Sequence, residues 1–134
     1  MKKTNKPRRK ERSAPAPRFS GKGALVIPCY NEADRIPQLV SSLKKFEANW
    51  QGTYEVIAVN DGSSDDTLSK LQAQLPQNLS KAERIEVIDV QPNQGKGNAL
   101  KTGVEKAQGD FVLTLDADMA TSPTELNNLS LIHI

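Results

Sequence analysis

The chain has 134 residues, of which 37% are hydrophobic and 25% are charged, a balance typical of a globular domain. Its single cysteine excludes an internal disulfide and fits a reducing compartment such as the cytoplasm. The net charge of +2 is divided unevenly, because residues 1–20 carry eight Lys or Arg against one Glu, and the remainder carries ten basic and fifteen acidic residues. Nucleic-acid binding by this acidic remainder is therefore disfavoured.

Residues 1–20 are rich in Lys, Arg and Pro and nearly free of large apolar side chains. Such a segment cannot bury enough apolar surface to offset its ordering entropy, so we predict a disordered basic tail. Two roles stay open for it. It is either a solubilising tail or a contact with an anionic membrane surface, where each basic residue can add about 1 kcal/mol.

Beyond the tail, short apolar runs alternate with segments of helical periodicity. The runs predict strands at 24–28, 54–59, 85–90 and 111–115, and the periodic segments predict helices near 36–46, 65–75, 98–108 and 121–128. This alternation favours an α/β fold, with a Rossmann-like, mostly parallel sheet and flanking helices. The third run carries polar residues on one face, which is typical of an edge strand.

Two carboxylates, Asp116 and Asp118, directly follow the fourth apolar run. Alternate side chains of an extended chain point the same way, so both can face one point at the carboxyl end of the strand. Hard oxygen donors at such a point suit Mg²⁺ or Mn²⁺, with phosphate completing the shell. A solvated turn that begins the next helix is the alternative for an isolated Asp-x-Asp.

Polar clusters also follow the other three predicted strands, at 28–32, 60–64 and 93–97. In a parallel sheet these clusters share one edge and can build one crevice. The glycine-flanked Lys96 is suited to phosphate at a helix N-terminus, and Ser63 or Ser64 is expected to cap the preceding helix. The spacing of a P-loop is absent, and no Gly-x-Gly-x-x-Gly follows the first strand, which argues against a dinucleotide oxidoreductase.

Four segments stand in chain order: Val-Ile-Pro-Cys-Tyr-Asn-Glu at 26–32, Val-Asn-Asp-Gly-Ser-Ser-Asp at 59–65, Asn-Gln-Gly-Lys-Gly-Asn-Ala at 93–99 and Leu-Asp-Ala-Asp at 115–118. Together they resemble the successive motifs of family 2 glycosyltransferases. The resemblance is closest to polyprenyl-phosphate sugar transferases of the dolichyl-phosphate β-glucosyltransferase and mannose synthase types. It implies a glycosyltransferase-A type fold, of which residues 21–128 would form the amino-terminal, nucleotide-sugar-binding half.

The resemblance also implies a nucleotide-sugar site, made of Pro28, Tyr30, Glu32, Asp61, Lys96, Asp116, Ala117 and Asp118. Within this set, Pro28, Tyr30 and Glu32 would line the base and ribose. Asp61 would hydrogen-bond the base, and Lys96 would lie near the diphosphate. The Asp-x-Asp motif would bind the metal through both of its carboxylates. The catalytic base is not identified, and the resemblance implies that it lies beyond Asn128.

The activity implied by the resemblance is a metal-dependent, inverting transfer of a sugar, with UDP-glucose favoured as donor, to a lipid-linked phosphate at the cytoplasmic face of a membrane. A truncated module that binds nucleotide and metal without turnover is one alternative. A sugar nucleotidyltransferase is another, although the glycine- and arginine-rich loop of that class does not follow the first strand. Asn60 stands where the family commonly shows Asp, and Ala120 favours the glucosyl branch over the mannosyl branch.

The end of the chain carries two further expectations. Residues 111–115 are apolar on both faces, as in an interior strand, so we expect their free side to lack a partner within this sequence. The last six residues, Leu-Ser-Leu-Ile-His-Ile at 129–134, resemble the translation of a transposase end sequence used in sequencing libraries. We therefore predict that the native reading frame stops near Asn128, that residues 129–134 are a non-native tail, and that His133 has no catalytic or metal-binding role.

Overall fold

A computed structural model of the chain describes residues 21–116 and 130–133. The strands are β1 (Lys22–Cys29), β2 (Thr53–Asp61), β3 (Arg84–Val90), β4 (Phe111–Thr114) and β5 (Ser130–His133). The helices are α1 (Ile36–Asn49), α2 (Thr67–Asn78) and α3 (Lys96–Lys106), and a short 3-10 turn at Ala33–Arg35 leads into α1. Within the described residues, no helix has the length and apolar character needed to cross a bilayer.

The strands form one sheet in the order β3-β2-β1-β4-β5. The first four are mutually parallel, as the strand–helix alternation predicts. Cys29 lies opposite Asn60 and Val26 lies opposite Thr114, so the carboxyl ends of β1, β2 and β4 are brought to one edge of the sheet. The edge position predicted for the third strand is confirmed, since β3 pairs only with β2 among the described strands.

The free side of β4 has a partner, contrary to the prediction from sequence. β5 pairs with β4 in antiparallel orientation, with Phe111 opposite His133 and Thr114 opposite Ser130. An edge strand presents unpaired backbone N–H and C=O groups that a nearby extended segment can satisfy. The pattern of polar and apolar residues along β4 does not show which segment pairs with its backbone. The helix predicted at 121–128, up to and including Asn128, lies outside the described residues.

Both faces of the sheet are buried, and β1 shows this most clearly. Leu25 and Ile27 point into one cluster with α1 and α2, whereas Ala24 and Val26 point into a second cluster with α3. Alternate residues of a strand face opposite sides, so an apolar run without polar breaks is typical of a strand covered on both faces. The core thus holds β1 rigidly at the centre of the sheet.

Helix α3 lies unusually close to the sheet because its inner face is small. Ala99 and Gly103 are buried against it, and a Cβ added at Gly103 would lie 2.4 Å from Val26 Cγ1. The sequence predicted a helix from about residue 98 that buries Leu100, Val104 and Ala107. In the structure α3 begins at Lys96, and these three side chains are only partly buried. The earlier start places the N-terminus of α3 at the carboxyl edge of the sheet.

Candidate functional site

A cleft of about 370 Å³ opens at this carboxyl edge. Its lining residues are Pro28, Cys29, Tyr30, Glu32, Asp61, Asn93, Gly95, Lys96, Ala99 and Asp116. Six of the eight residues predicted for the nucleotide-sugar site are therefore brought together, and Ala117 and Asp118 lie outside the described residues. The sequence interpretation missed Asn93 and Gly95, although both flank Lys96 in the motif that it singled out.

Asp61 holds the loop that forms one wall of this cleft. Its side chain is buried, and its Oδ1 accepts a hydrogen bond from the Gln94 amide at 2.8 Å. Its Oδ2 accepts hydrogen bonds from the Gly95 amide at 2.9 Å and from Asn93 Nδ2 at 3.1 Å. A carboxylate has about four acceptor positions, so roughly one remains for a ligand. Asp61 therefore has a structural role that the sequence did not reveal, and the contact to a base implied by the resemblance stays a prediction.

The glycine after Asp61 lets this loop approach closely. Gly62 has a φ of 68°, and a Cβ built on it would lie 2.2 Å from the backbone nitrogen of Asn93. Both the left-handed backbone and the missing side chain are therefore required at this position. The β2 end and the loop at 93–95 behave as one packed unit.

Lys96 and Asp116 meet across the cleft in an ion pair between the ammonium group and Oδ2. Lys96 is the first residue of α3 and follows Gly95, whose φ is 99°. The lysine side chain is 59% exposed, and the aspartate side chain is 28% exposed. The ammonium group and the positive end of the helix dipole both favour an anion here, and Asp116 offers a negative group beside them.

The loops after β1 and β2 are fastened to each other by hydrogen bonds. Asn31, which has a φ of 51°, accepts a hydrogen bond from the Ser64 amide at 2.8 Å through its Oδ1. The Glu32 amide donates to Thr67 Oγ1 at 2.8 Å. These bonds fix the backbone directly after Tyr30, a residue that is 50% exposed at the cleft.

The predicted serine cap of α2 is wrong. The helix begins after Asp66, which makes no side-chain capping bond, and the hydroxyl of Ser63 instead donates to Asn60 Oδ1. The helix start is satisfied by Asp65, whose Oδ1 accepts the Thr67 amide at 3.0 Å. The Ser63 hydroxyl bonds a side chain three residues earlier instead of the helix end, and both are short-range options that local sequence does not distinguish.

The Asp65 carboxylate also bridges the two loops. Its Oδ2 accepts a hydrogen bond from the Ala33 amide at 3.2 Å, and its Oδ1 accepts one from the Thr67 hydroxyl at 2.5 Å. Desolvation acts to raise the pKa of Asp65, but the hydrogen bonds from Thr67 and Ala33 outweigh it and lower the pKa below its ordinary value. Asp65 is therefore held ionised as part of the loop scaffold.

The residues at the β4 side of the cleft have the donor chemistry for a hard divalent cation. The Asp116 carboxylate lines the cleft, and Mg²⁺-type sites commonly use one or two carboxylates together with ligand phosphates. Across residues 21–116, no group of three or more His, Cys, Asp or Glu side chains is gathered in a metal-binding arrangement. Asp116 thus fits one position of such a shell, and the second predicted ligand, Asp118, lies outside the described residues.

The catalytic base stays a prediction. The resemblance puts it beyond Asn128, and Asn128 itself lies outside the described residues. Of the segment that follows, the structure describes only β5, which pairs with the far side of β4. The cleft is accordingly described as a binding site, and no residue of it is assigned the role of the base.

The fold and the cleft together define a class of protein. In the strand order β3-β2-β1-β4, the direction of winding reverses between β1 and β4. Open α/β sheets bind ligands outside the carboxyl ends of the strands at this reversal, where Pro28 and Asp116 lie. The chain is accordingly an α/β protein with the architecture of a nucleotide-binding domain.

Sequence comparison identifies the family. Residues 24–130 match the description "Glycosyl transferase family 2", and the chain belongs to that family. It is 37% identical over 108 residues to an undecaprenyl-phosphate 4-deoxy-4-formamido-L-arabinose transferase of Proteus mirabilis, covering 81% of this chain and 32% of that protein. It is 35% identical over 111 residues to the dolichyl-phosphate beta-glucosyltransferase of Mus musculus, covering 79% and 34%. The chain thus spans about a third of the length of these curated relatives.

Solved structures support the same assignment. A mannosyltransferase of Pyrobaculum calidifontis, in complex with GDP-Man and Mn²⁺, matches with a TM-score of 0.65 and 25% identity over 84% of this chain and 34% of that chain. TarS of S. aureus, in complex with UDP, matches with a TM-score of 0.61 and 28% identity over 72% and 27%. The predicted fold class and the resemblance to family 2 glycosyltransferases are confirmed.

Proposed function

We propose that the cleft binds the nucleotide-sugar donor of a polyprenyl-phosphate sugar transferase. In this proposal the whole protein moves a sugar, with UDP-glucose as donor, to a lipid-linked phosphate. The observation that carries the proposal is the convergence, at the winding reversal of the sheet, of six residues that the family motifs implied. The names of the Proteus and mouse relatives, both polyprenyl-phosphate transferases, support the acceptor class.

The base would bind on the β2 side of the cleft. Tyr30 and Pro28 offer flat apolar surface there, and Asp61 offers its remaining acceptor position to a ring N–H. Because Asp61 is already fixed by the loop at 93–95, little ordering is required when the base binds. This arrangement fits uracil, which presents one imide N–H between two carbonyl groups.

The diphosphate would bind at the start of α3. The first intrahelical bond of that helix runs from the Ala99 amide to the Gly95 carbonyl at 3.1 Å, so the preceding amides at 96–98 have no intrahelical acceptor. Together with the Lys96 ammonium group, they form an anion-binding helix N-terminus. On binding, Lys96 would turn from Asp116 towards the phosphates.

Asp116 and Asp118 would hold a divalent cation beside the diphosphate. When bound, Mg²⁺ or Mn²⁺ neutralises the charge of the departing nucleoside diphosphate. Among the solved neighbours, the Pyrobaculum enzyme was obtained with Mn²⁺, which supports a divalent ion in the fold. A phosphate acceptor is already ionised near neutral pH, so it demands less of a general base than a hydroxyl acceptor would. We propose that the transfer inverts the anomeric centre by direct displacement.

Titration calorimetry tests the donor proposal. UDP and GDP are titrated into the purified chain with and without Mn²⁺, and we expect UDP to bind at least about tenfold more tightly with the metal, since a divalent cation held by carboxylates coordinates the phosphate oxygens. Asp118→Ala should remove the metal effect. Asp110→Ala is the matched control, because Asp110 is an exposed aspartate at the opposite end of β4. Absence of binding in a folded sample would contradict the proposal, and GDP preference would assign a mannosyl-type donor.

The alternatives make different products. A binding module without turnover would bind UDP but leave UDP-glucose intact in the presence of a polyprenyl phosphate. A sugar nucleotidyltransferase would release pyrophosphate from UTP and a sugar phosphate. The family match favours the glycosyltransferase over the second alternative. Thin-layer separation of the labelled products distinguishes all three.

We also propose that the tail at 1–20 contacts the cytoplasmic face of a membrane, where the acceptor would be embedded. Its eight basic residues match an anionic lipid surface. Sedimentation with vesicles containing phosphatidylserine should pellet the chain at low salt, and replacement of the basic residues by Gln should keep it in the supernatant. Equal sedimentation of both proteins would contradict this assignment.

A further inference from the structure

Asn60 is the family departure that the proposed function does not use. It lies at the end of β2, beside Asp61, and is 1% exposed. Its Nδ2 donates to Asp89 Oδ1 at 2.9 Å, and its Oδ1 accepts from the Ser63 hydroxyl at 2.5 Å. Both ends of the amide are therefore engaged, with a donor on one side and an acceptor on the other.

These bonds continue to the loop that carries Tyr30. Ser63 gives its single proton to Asn60, and its oxygen accepts the Asn31 amide at 2.9 Å. The chain of bonds therefore has one direction, from Asn31 through Ser63 and Asn60 to the carboxylate of Asp89. Gln91 Nε2 also donates to the same Asp89 oxygen at 3.0 Å, so this oxygen accepts two hydrogen bonds at the end of the chain.

We propose that Asn60 is a positioning residue for the base side of the nucleotide cleft, and that Asp89 on the edge strand is what requires an amide at this position. The proposal rests on the proposed function. The amide of Asn60 donates to Asp89 and accepts from Ser63 at once, whereas an ionised carboxylate can only accept. A carboxylate at 60 would place two acceptors about 2.9 Å apart, one of them buried and the other exposed on the edge strand, and would lose the bond that ends the chain.

The two positions should therefore be exchangeable as a pair. In Asn60→Asp the two carboxylates repel, so the side chain at 60 shifts away from Asp89 and the bond from Ser63, which supports the loop at Tyr30, is weakened. In Asp89→Asn the Oδ1 of the new amide still accepts from Asn60, so this variant should behave like the wild type. In the double variant the new amide at 89 donates to the new carboxylate at 60, which still accepts from Ser63. The hydrogen bond between positions 60 and 89 is restored, with the carboxylate now at 60 and the amide at 89.

The affinity for UDP with Mn²⁺ gives the first readout, measured by calorimetry. We expect about a tenfold loss in Asn60→Asp, no more than about a twofold change in Asp89→Asn, and recovery to within about threefold in the double variant, since losing a hydrogen bond to a charged group leaves a polar partner unsatisfied. Tyr54→Phe is the control. This substitution removes the hydrogen bond that the Tyr54 hydroxyl donates to Glu47 at 2.7 Å. Neither residue lines the cleft, so the affinity for UDP should stay unchanged.

Hydrogen exchange gives a second readout that requires no ligand. The amides of Asn31 and Ser64 should exchange faster in Asn60→Asp and slow again in the double variant, while the amides of β1 keep their protection. If Asn60→Asp fails to fold, Ser63→Ala breaks the same chain without burying a second charge and should accelerate the Asn31 amide.

The outcomes separate the two proposals. A wild-type protein that binds no nucleoside diphosphate overturns the proposed function, and with it the role in nucleotide binding, while the exchange data still show whether the Asn31 anchor exists. Failure of the double variant to recover, or an Asn31 amide that stays protected in both Asn60→Asp and Ser63→Ala, overturns the positioning role itself.

Discussion

The two sides of the cleft are built in different ways. The β2 side is a network of short hydrogen bonds around the buried Asp61 and Asn60, which ties three loops together. The β4 side meets α3 through the Lys96–Asp116 ion pair, whose lysine is largely exposed. A preformed pocket suits a flat base of constant shape, whereas an exposed ion pair can rearrange when phosphate and metal arrive. The predictions below test this contrast.

The largest effect is expected from Asp61→Ala. It leaves the amides of Gln94 and Gly95 without acceptors, and we expect the free energy of unfolding to fall by about 2–4 kcal/mol. Urea denaturation measures the change. Asp66→Ala is the control, because Asp66 is exposed and makes no side-chain capping bond. If both variants lost similar amounts of unfolding free energy, the buried hydrogen bonds of Asp61 would add no special stability to the β2 side of the cleft.

Gly62→Ala should come next. Its Cβ would lie 2.2 Å from a backbone atom at a φ of 68°, so we expect a loss of about 1–3 kcal/mol in unfolding free energy. Gly97→Ala is the matched control near the start of α3, where a Cβ meets nothing within 4 Å. That variant should be neutral or stabilised by about 0.5–1 kcal/mol, because alanine favours a helix. Equal losses in thermal denaturation would contradict the close packing of Gly62 on the loop.

Lys96→Met should separate binding from stability. An exposed ion pair contributes about 0–1 kcal/mol, so the urea midpoint should hardly move. The affinity for UDP should nevertheless fall about tenfold, because a cation beside a diphosphate forms charge-assisted hydrogen bonds. Lys101→Met, an exposed lysine further along α3 that does not line the cleft, should leave both quantities unchanged. A large loss of stability in Lys96→Met would contradict the description of this side as adaptable.

The smallest effect is expected from acid. Hydrogen bonds lower the pKa of Asp65 in the folded protein, so its contribution to stability is complete above the unfolded pKa of about 3.9 and is lost as the pH falls through the lower folded pKa. The urea midpoint of the wild type should therefore fall below about pH 4 more steeply than that of Asp65→Asn. Parallel pH profiles would show that the Asp65 bonds add nothing to the loop scaffold.

The sequence predicted the fold well because the signals for it are local. The alternation of apolar runs and helical periods specified a parallel sheet, and the polar breaks in 85–90 placed β3 at the edge. The cleft followed from the same logic, since polar residues after parallel strands must share one edge. Six of eight predicted site residues line that cleft.

The features that sequence could not give are long-range pairings. Asn60 bonds Asp89 across 29 positions, and Asp61 accepts the Gln94 and Gly95 amides across 33 and 34 positions. The partner of β4 was missed because β5 pairs through backbone atoms, which any extended segment possesses. The assignment of residues 129–134 as a non-native tail stays a prediction, as do the residue roles in nucleotide and metal binding and the catalytic base expected beyond Asn128.

Because Gly103 packs closely on Val26, a change at this contact would move helix α3 and with it the N-terminus of the helix at the cleft. Lys96 lies seven residues before Gly103, a distance of about 10 Å along a helix at 1.5 Å per residue. A side chain at 103 would have to lift the helix from the sheet, and a stiff rod carries that shift to its far end. The close packing of Gly103 on Val26 therefore determines how far the Lys96 ammonium group extends into the cleft.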